Sequence, residues 1–189
     1  TYKPLRIMIR KYSPDVFPEL YYFRIPLTIV IQHSFYHLVS RRESVRSYRN
    51  TPVEKDTILR IMETGRLAPS ACNAQPWTFI VVDDPDLKNR VADAASGTLT
   101  GLNHFARQAP VIIVVVMEPA NLTSRIGSVV KQKHFPLMDI GIATEHICLA
   151  AAAEGLGTCM IGWFDEPAIR SLLGIPRKGR PVLLITLGY

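Results

Sequence analysis

The chain has 189 residues, 48% of them hydrophobic and 20% charged, a balance that excludes a disordered chain and suits one domain with a sizeable core. Three cysteines, Cys72, Cys148 and Cys159, lie far apart without a Cys-x-x-Cys, and the five histidines occur singly. These spacings exclude a disulfide framework and a metal site, and point to a reducing, cytoplasmic setting. The net charge of +6 is spread over the first residues, Arg41 to Arg49 and Arg177 to Arg180, with no aromatic-interleaved basic module. No nucleic-acid partner is therefore expected, whereas a positive cleft would attract small anions.

Residues 1–33 form an arm rich in Tyr, Pro and Arg. Within it Phe23–Ile31 clusters β-branched residues after Pro26, as an edge strand tolerates. Ile25–Ile31 is too short to cross a bilayer, and the long apolar run and cleavage site of a secretory signal are absent, so no membrane association is expected. A helix is expected at Phe35–Ser40.

Arg42-Glu43-Ser44-Val45-Arg46 follows. In an extended stretch alternate residues share a side, so Arg42, Ser44 and Arg46 would converge on one ligand while Glu43 and Val45 face away. Guanidinium groups bind phosphate bidentately and keep their charge. Alone, the same pattern also describes a solvated basic face at a helix end.

Thr51-Pro52-Val53-Glu54 reads as a helix start, with Thr as cap and Pro at the first helical position. Ile58, Ile61, Met62 and Gly65 then fall on one helical face. The helix must stop before Pro69, because a residue preceding proline avoids helical geometry. Pro69 to Pro76 is thus a loop whose free amides, Ser70 hydroxyl and Asn73 and Gln75 side chains can face a ligand. A plain structural turn closed by a buried Trp77 would carry the same residues.

Strands are expected at Trp77–Val82, Val111–Met117, Thr158–Ile161 and Pro181–Leu187, whose continuous Val, Ile and Leu content implies burial on both faces. From near Asp139 a helix apolar almost all round runs to Gly155, a helix-ending glycine. Leu156 to Asp165 then reads as a short strand entering a glycine turn, where Gly162 permits close approach of a ligand. An ordinary helix-to-strand junction would look similar. With no Gly-x-Gly-x-x-Gly and no P-loop, any phosphate must be held by side chains and loop amides.

In combination and order, Arg42-Glu43-Ser44-Val45-Arg46, Pro69-Ser70-Ala71-Cys72-Asn73-Ala74-Gln75-Pro76-Trp77 and Leu156-Gly157-Thr158-Cys159-Met160-Ile161-Gly162 resemble the FMN-dependent nitroreductase family. The resemblance runs from Ser34 to Tyr189. It implies an α+β fold, a three-layer α/β/α sandwich with a central, mainly antiparallel sheet, forming a homodimer. Residues 34–189 would be the FMN-binding domain and residues 1–33 an N-terminal extension.

The resemblance also implies roles. Arg42 and Ser44 would hold the phosphate and ribityl chain, with Glu43 in the same cofactor-binding stretch, and Arg46 the pyrimidine edge near N1 and the C2 carbonyl. Pro69, Ser70, Ala71 and Asn73 would reach the flavin from the other subunit. Met160, Ile161, Gly162 and Trp163 would wall the ring, with the N–H around Gly162 toward N5, and Asn103 would offer a ring-contacting amide. NADH or NADPH would deliver hydride to flavin N5 and be replaced by a nitroaromatic, quinone or similar small-molecule acceptor, with ping-pong kinetics and no catalytic side chain. A flavin-fragmenting or reductive dehalogenating enzyme of the same fold, or a non-enzymatic flavin-binding protein, are the alternatives.

The resemblance further implies that Ser124 to Phe135 would be the family's variable lid. The chain stops at Gly188-Tyr189, where many relatives continue into a segment embracing the partner subunit. The arm before residue 34 is expected either to take the place of that segment or to be a mobile tail.

Overall fold

The computed structural model describes residues 34–96, 102–119 and 134–189. The expected strand at Phe23–Ile31 and the lid up to residue 133 lie outside the described residues. The described elements are α1 (Ser34–Arg41), α2 (Lys55–Arg66), β1 (Trp77–Val82), α3 (Pro85–Ser96), β2 (Val111–Met117), α4 (Phe135–Ala153), β3 (Gly157–Ile161), α5 (Glu166–Leu172) and β4 (Arg180–Gly188). Two 3₁₀ turns, Ala71–Asn73 and His104–Gln108, complete them.

The four strands make one sheet in the order β1-β2-β4-β3, every pair antiparallel. Phe79 lies opposite Val115, Ile113 opposite Ile185, and Cys159 opposite Thr186. Alternation along β2 explains its unbroken apolar run. Val111, Ile113 and Val115 enter a core with Ile58 and Ile61 of α2 and Ile147 of α4. Ile112, Val114 and Val116 enter a second core with Val91 and Ala95 of α3 and Ile169 of α5. Helices thus cover both faces, giving the expected three-layer α+β sandwich. The register between β2 and β4 shifts between Val115 and Val116, opposite Leu183 and Pro181, where a bulge accommodates the proline.

Two helix starts differ from the expected ones. α2 begins at Lys55, with Glu54 extended at its N-cap, so Thr51 is not the cap and Pro52 is not its first residue. Val53, 8% exposed, anchors this extended lead-in to the core, and proline's fixed φ suits an extended residue as well as a helical one. α4 begins at Phe135 rather than near Asp139, with Pro136 in its first turn, so Phe135 belongs to this helix and not to the lid. At its other end Gly155 has φ 77°, Gly155 N–H reaches the Ala152 carbonyl at 3.2 Å and Leu156 N–H the Ala151 carbonyl at 2.8 Å. That is a Schellman ending, with Leu156 buried beneath it. α4 is long and apolar enough by length and composition to cross a membrane; in the fold it packs on the sheet through Ile140, Ala143, Ile147 and Ala151.

Candidate functional site

The Arg42–Arg46 segment lies along the outer edge of β3. Arg42 N–H closes α1 on the Leu38 carbonyl at 3.0 Å, Ser44 bridges Thr158 in parallel, and Val45 N–H donates to the Thr158 carbonyl at 2.9 Å. Val45 turns inward onto Gly157, where an added Cβ would fall 2.6 Å from Val45 Cγ2. Only glycine lets the segment sit this close. Tyr48 fastens the same stretch: its hydroxyl donates to the Val45 carbonyl at 2.7 Å and lies 2.6 Å from Thr186 Oγ1. Burial raises the Tyr48 phenol well above its ordinary range, so it keeps this proton.

With Val45 inward, Ser44 and Arg46 lie on the other side, over Cys159. Burial pushes the Cys159 thiol up, while the Arg46 charge and hydrogen bonds with the Ser44 and Arg46 side chains pull the other way. Arg42 turns toward α4, its Nε 3.3 Å from Glu145 Oε1. Glu43 is exposed and lines, with Arg41, Arg42 and Thr158, a cleft of about 170 Å³ beside the segment.

The second motif is a strained loop. Cys72, Asn73 and Gln75 have φ of 54°, 49° and 43°, a left-handed region that side chains with a Cβ seldom occupy. Ser70 holds it: its carbonyl accepts from Asn73 N–H at 3.0 Å and its hydroxyl from Gln75 N–H at 2.9 Å. Asp139 of α4 adds a third tie, Oδ1 accepting from Ala71 N–H at 3.1 Å. The Asp139 side chain is buried, and its Oδ2 has no hydrogen-bond partner among the described residues. Pro69, Cys72 and Asn73 remain exposed and Ala71 half-buried.

The third motif forms the end of β3 and the turn after it. Met160 is exposed, but Ile161 is buried in the core shared with α3 and α5, so of Ile161 only the main chain is available to a ligand. Nothing lies within 4 Å of the position a Gly162 Cβ would take, and Trp163 is 77% exposed. The turn is hung on the end of α3. Asn103 Nδ2 donates to the Trp163 and Ala95 carbonyls, both at 3.0 Å, and Asp165 N–H donates to the Ala94 carbonyl at 3.0 Å. Asn103 thereby spends its amide hydrogens on main-chain carbonyls, leaving Oδ1 without a hydrogen bond among the described residues.

The first and third motifs are brought together at β3. Among the described residues no hydrogen bond joins the second to them. It is tied to Asp139, and Arg42 to Glu145; six residues of helix separate these acids by about 9 Å along α4 and about 120° around it.

The family model described as the nitroreductase family matches residues 39–189. The chain belongs to this family. It is accordingly an oxidoreductase. A protein of Archaeoglobus fulgidus, provisionally named NADH dehydrogenase/NAD(P)H nitroreductase, is 31% identical over 80% of this chain and 83% of its own length. Iodotyrosine deiodinase of Daphnia pulex is 27% identical over 93% of this chain and 66% of its own. Among solved structures, an FMN-dependent nitroreductase from Clostridium difficile superposes with a TM-score of 0.65 at 28% identity, over 80% of this chain and 85% of that one.

Three residues of the candidate site, Tyr48, Asp139 and Glu145, belong to none of the three motifs. Tyr48 stands two residues after the arginine motif, and a phenol so placed is the available clue; its partner Thr186 is 138 positions away. Asp139 and Glu145 are the two acids of a mostly apolar helix, which is what singles them out.

Proposed function

We propose that the chain is an NAD(P)H-dependent FMN oxidoreductase that passes reducing equivalents to a nitroaromatic, quinone or similar small acceptor, and that it works as a homodimer with FMN between the copies. The supporting observation is the arginine segment clamped along β3 beside an open glycine turn, a cationic edge next to an exposed planar wall. The residues fit this cofactor. Among the described residues no hydrogen bond occupies the Arg42 Nη groups, Gly162 faces open space, and Trp163 is largely bare.

FMN, when bound, supplies the hydride chemistry and serves donor and acceptor in turn, which gives ping-pong kinetics. The chain supplies position and charge. Arg42 would hold the phosphate and Ser44 the ribityl chain. Arg46, beside Cys159, would set a fixed cation against the pyrimidine edge. Met160 and Trp163 would exclude water from one side of the ring, with the Gly162 main chain left accessible beneath it. Asn73, which its own chain leaves exposed, would reach the flavin held by a second copy, with Pro69, Ser70 and Ala71 shaping that reach.

The deiodinase likeness favours a second reading, reductive dehalogenation in the same cleft. Yellow colour in the purified protein and anaerobic bleaching by NADH or NADPH test the first step. Turnover with nitroaromatics, quinones, free flavin and a halogenated tyrosine then separates the acceptors. A colourless protein that binds no added FMN would end both readings.

A further inference from the structure

We infer that Glu145 is a positioning residue for the flavin phosphate, holding the Arg42 side chain from behind so that the forked end of the guanidinium is presented to the phosphate. The inference rests on the FMN reading above and concerns a residue outside all three motifs.

The geometry is side-on. The Glu145 carboxylate approaches Nε of Arg42, at 3.3 Å, and no hydrogen bond among the described residues occupies the Nη groups. Of the five guanidinium donors, the four on Nη1 and Nη2 therefore stay available for two-point binding of a phosphate ester. The backbone at the foot of the side chain is fixed as well, because Arg42 N–H caps α1 and Val45, three residues on, is clamped to β3.

Stability does not account for the pair. The two side chains are 32% and 44% exposed, and ion pairs of that exposure contribute about 0–1 kcal/mol in water. Holding a long, rotamer-rich side chain before the ligand arrives is a different service, because binding then loses less freedom. The opposing effect is repulsion: a carboxylate close to the site disfavours a dianion. Orientation and repulsion predict opposite signs for removal of Glu145, so the experiment decides between them.

Flavin-free protein is titrated with FMN and, separately, with riboflavin, by quenching of flavin fluorescence, for the parent chain, Glu145→Ala, Glu145→Gln, Arg42→Ala and the Arg42→Ala/Glu145→Ala double variant. Riboflavin lacks the phosphate, so the ratio of the two affinities isolates it. Glu145→Ala is expected to weaken FMN by about three- to tenfold, the scale of one immobilised side chain, and to leave riboflavin unchanged. Glu145→Gln, which keeps an acceptor oxygen, is expected to recover most of that loss. In the Arg42→Ala background the Glu145→Ala effect should vanish, an outcome a general structural role would not produce. FMN binding as tight or tighter in Glu145→Ala, or equal weakening of FMN and riboflavin, overturns the assignment while leaving the flavin reading intact. A parent chain that binds neither flavin overturns both.

Discussion

Arg42 and Arg46 stand in one extended segment yet have different neighbours, and their removal has different consequences. Arg42 faces an acid and presents free donors; Arg46 lies over the buried Cys159 thiol. Arg42→Ala is expected to weaken FMN binding by about 2–4 kcal/mol, as for truncation of a charged, hydrogen-bonded partner. Fluorescence titration checks this, and an unchanged affinity would remove Arg42 from the phosphate site. Arg46→Gln is expected to lower the two-electron midpoint potential of bound FMN, because a cation that stabilises the anionic reduced form is lost. Equilibration with reference dyes measures it; a potential that stays or rises would strip Arg46 of that role. The spacing of both arginines made the segment legible in the sequence, but the expected alternation does not hold in full. Arg42 shares its cleft with Glu43 and Val45, while Ser44 and Arg46 lie at Cys159, because Arg42 turns to Glu145. The supports of this segment were not legible, because Glu145 and Thr186 act from elements far along the chain.

At the scale of elements, the contact between β3 and the arginine segment turns on Gly157. A Cβ there would meet Val45 at 2.6, 2.8 and 3.0 Å, and a β-branched side chain has little rotamer freedom with which to yield. The segment itself must then lift from the strand, disturbing the Val45 to Thr158 hydrogen bond and the Tyr48 tie. Gly157→Ala should therefore lower FMN affinity by about tenfold or more while costing about 1–3 kcal/mol of stability, a typical overpacking penalty. Titration beside chemical denaturation tests the pairing, and an alanine variant with parental affinity would show that the segment has room to adjust.

The same elements show how far sequence patterning reaches. The strands were readable to within a residue because every β2 side chain has a core to enter, on one face or the other. Their order was not, because the apolar pattern is alike on all four and register is set by packing. The start of α2 was misplaced because Thr51-Pro52 satisfies capping rules that buried Val53 overrides.

For the whole molecule, two features act beyond any single site. Burial pushes the Cys148 thiol up from 9.0 to about 11. An acid held more firmly protonated in the folded chain contributes stability that is fully present below its unfolded pKa and is lost as pH rises through the folded value. Between pH 9.0 and about 11 the fold should thus lose up to about 3 kcal/mol from this group, with Tyr48 acting in the same direction at higher pH. Urea titrations across that range should show the decline, and Cys148→Ala should flatten it. An equally steep decline in the variant would assign the loss elsewhere.

The second feature is an apolar face that no described residue covers. Leu137, Met138 and Ile142 on the first half of α4 are 48%, 57% and 41% exposed, on the helix whose Asp139 ties down the Ser70–Gln75 loop. Exposed apolar side chains clustered this way mark interaction surfaces. Joining this face to its equivalent in a second copy would bury it and bring the Asn73 loop of one copy toward the arginine segment of the other. A homodimer is therefore expected by sedimentation or light scattering. Met138→Glu with Ile142→Glu, at exposed positions that leave the core intact, should give monomers that lose FMN, because each flavin would be missing the loop from across the interface. A folded monomer that keeps FMN at parental affinity in dilute solution would refute the shared site, and the flavin would then have to be held by one chain alone.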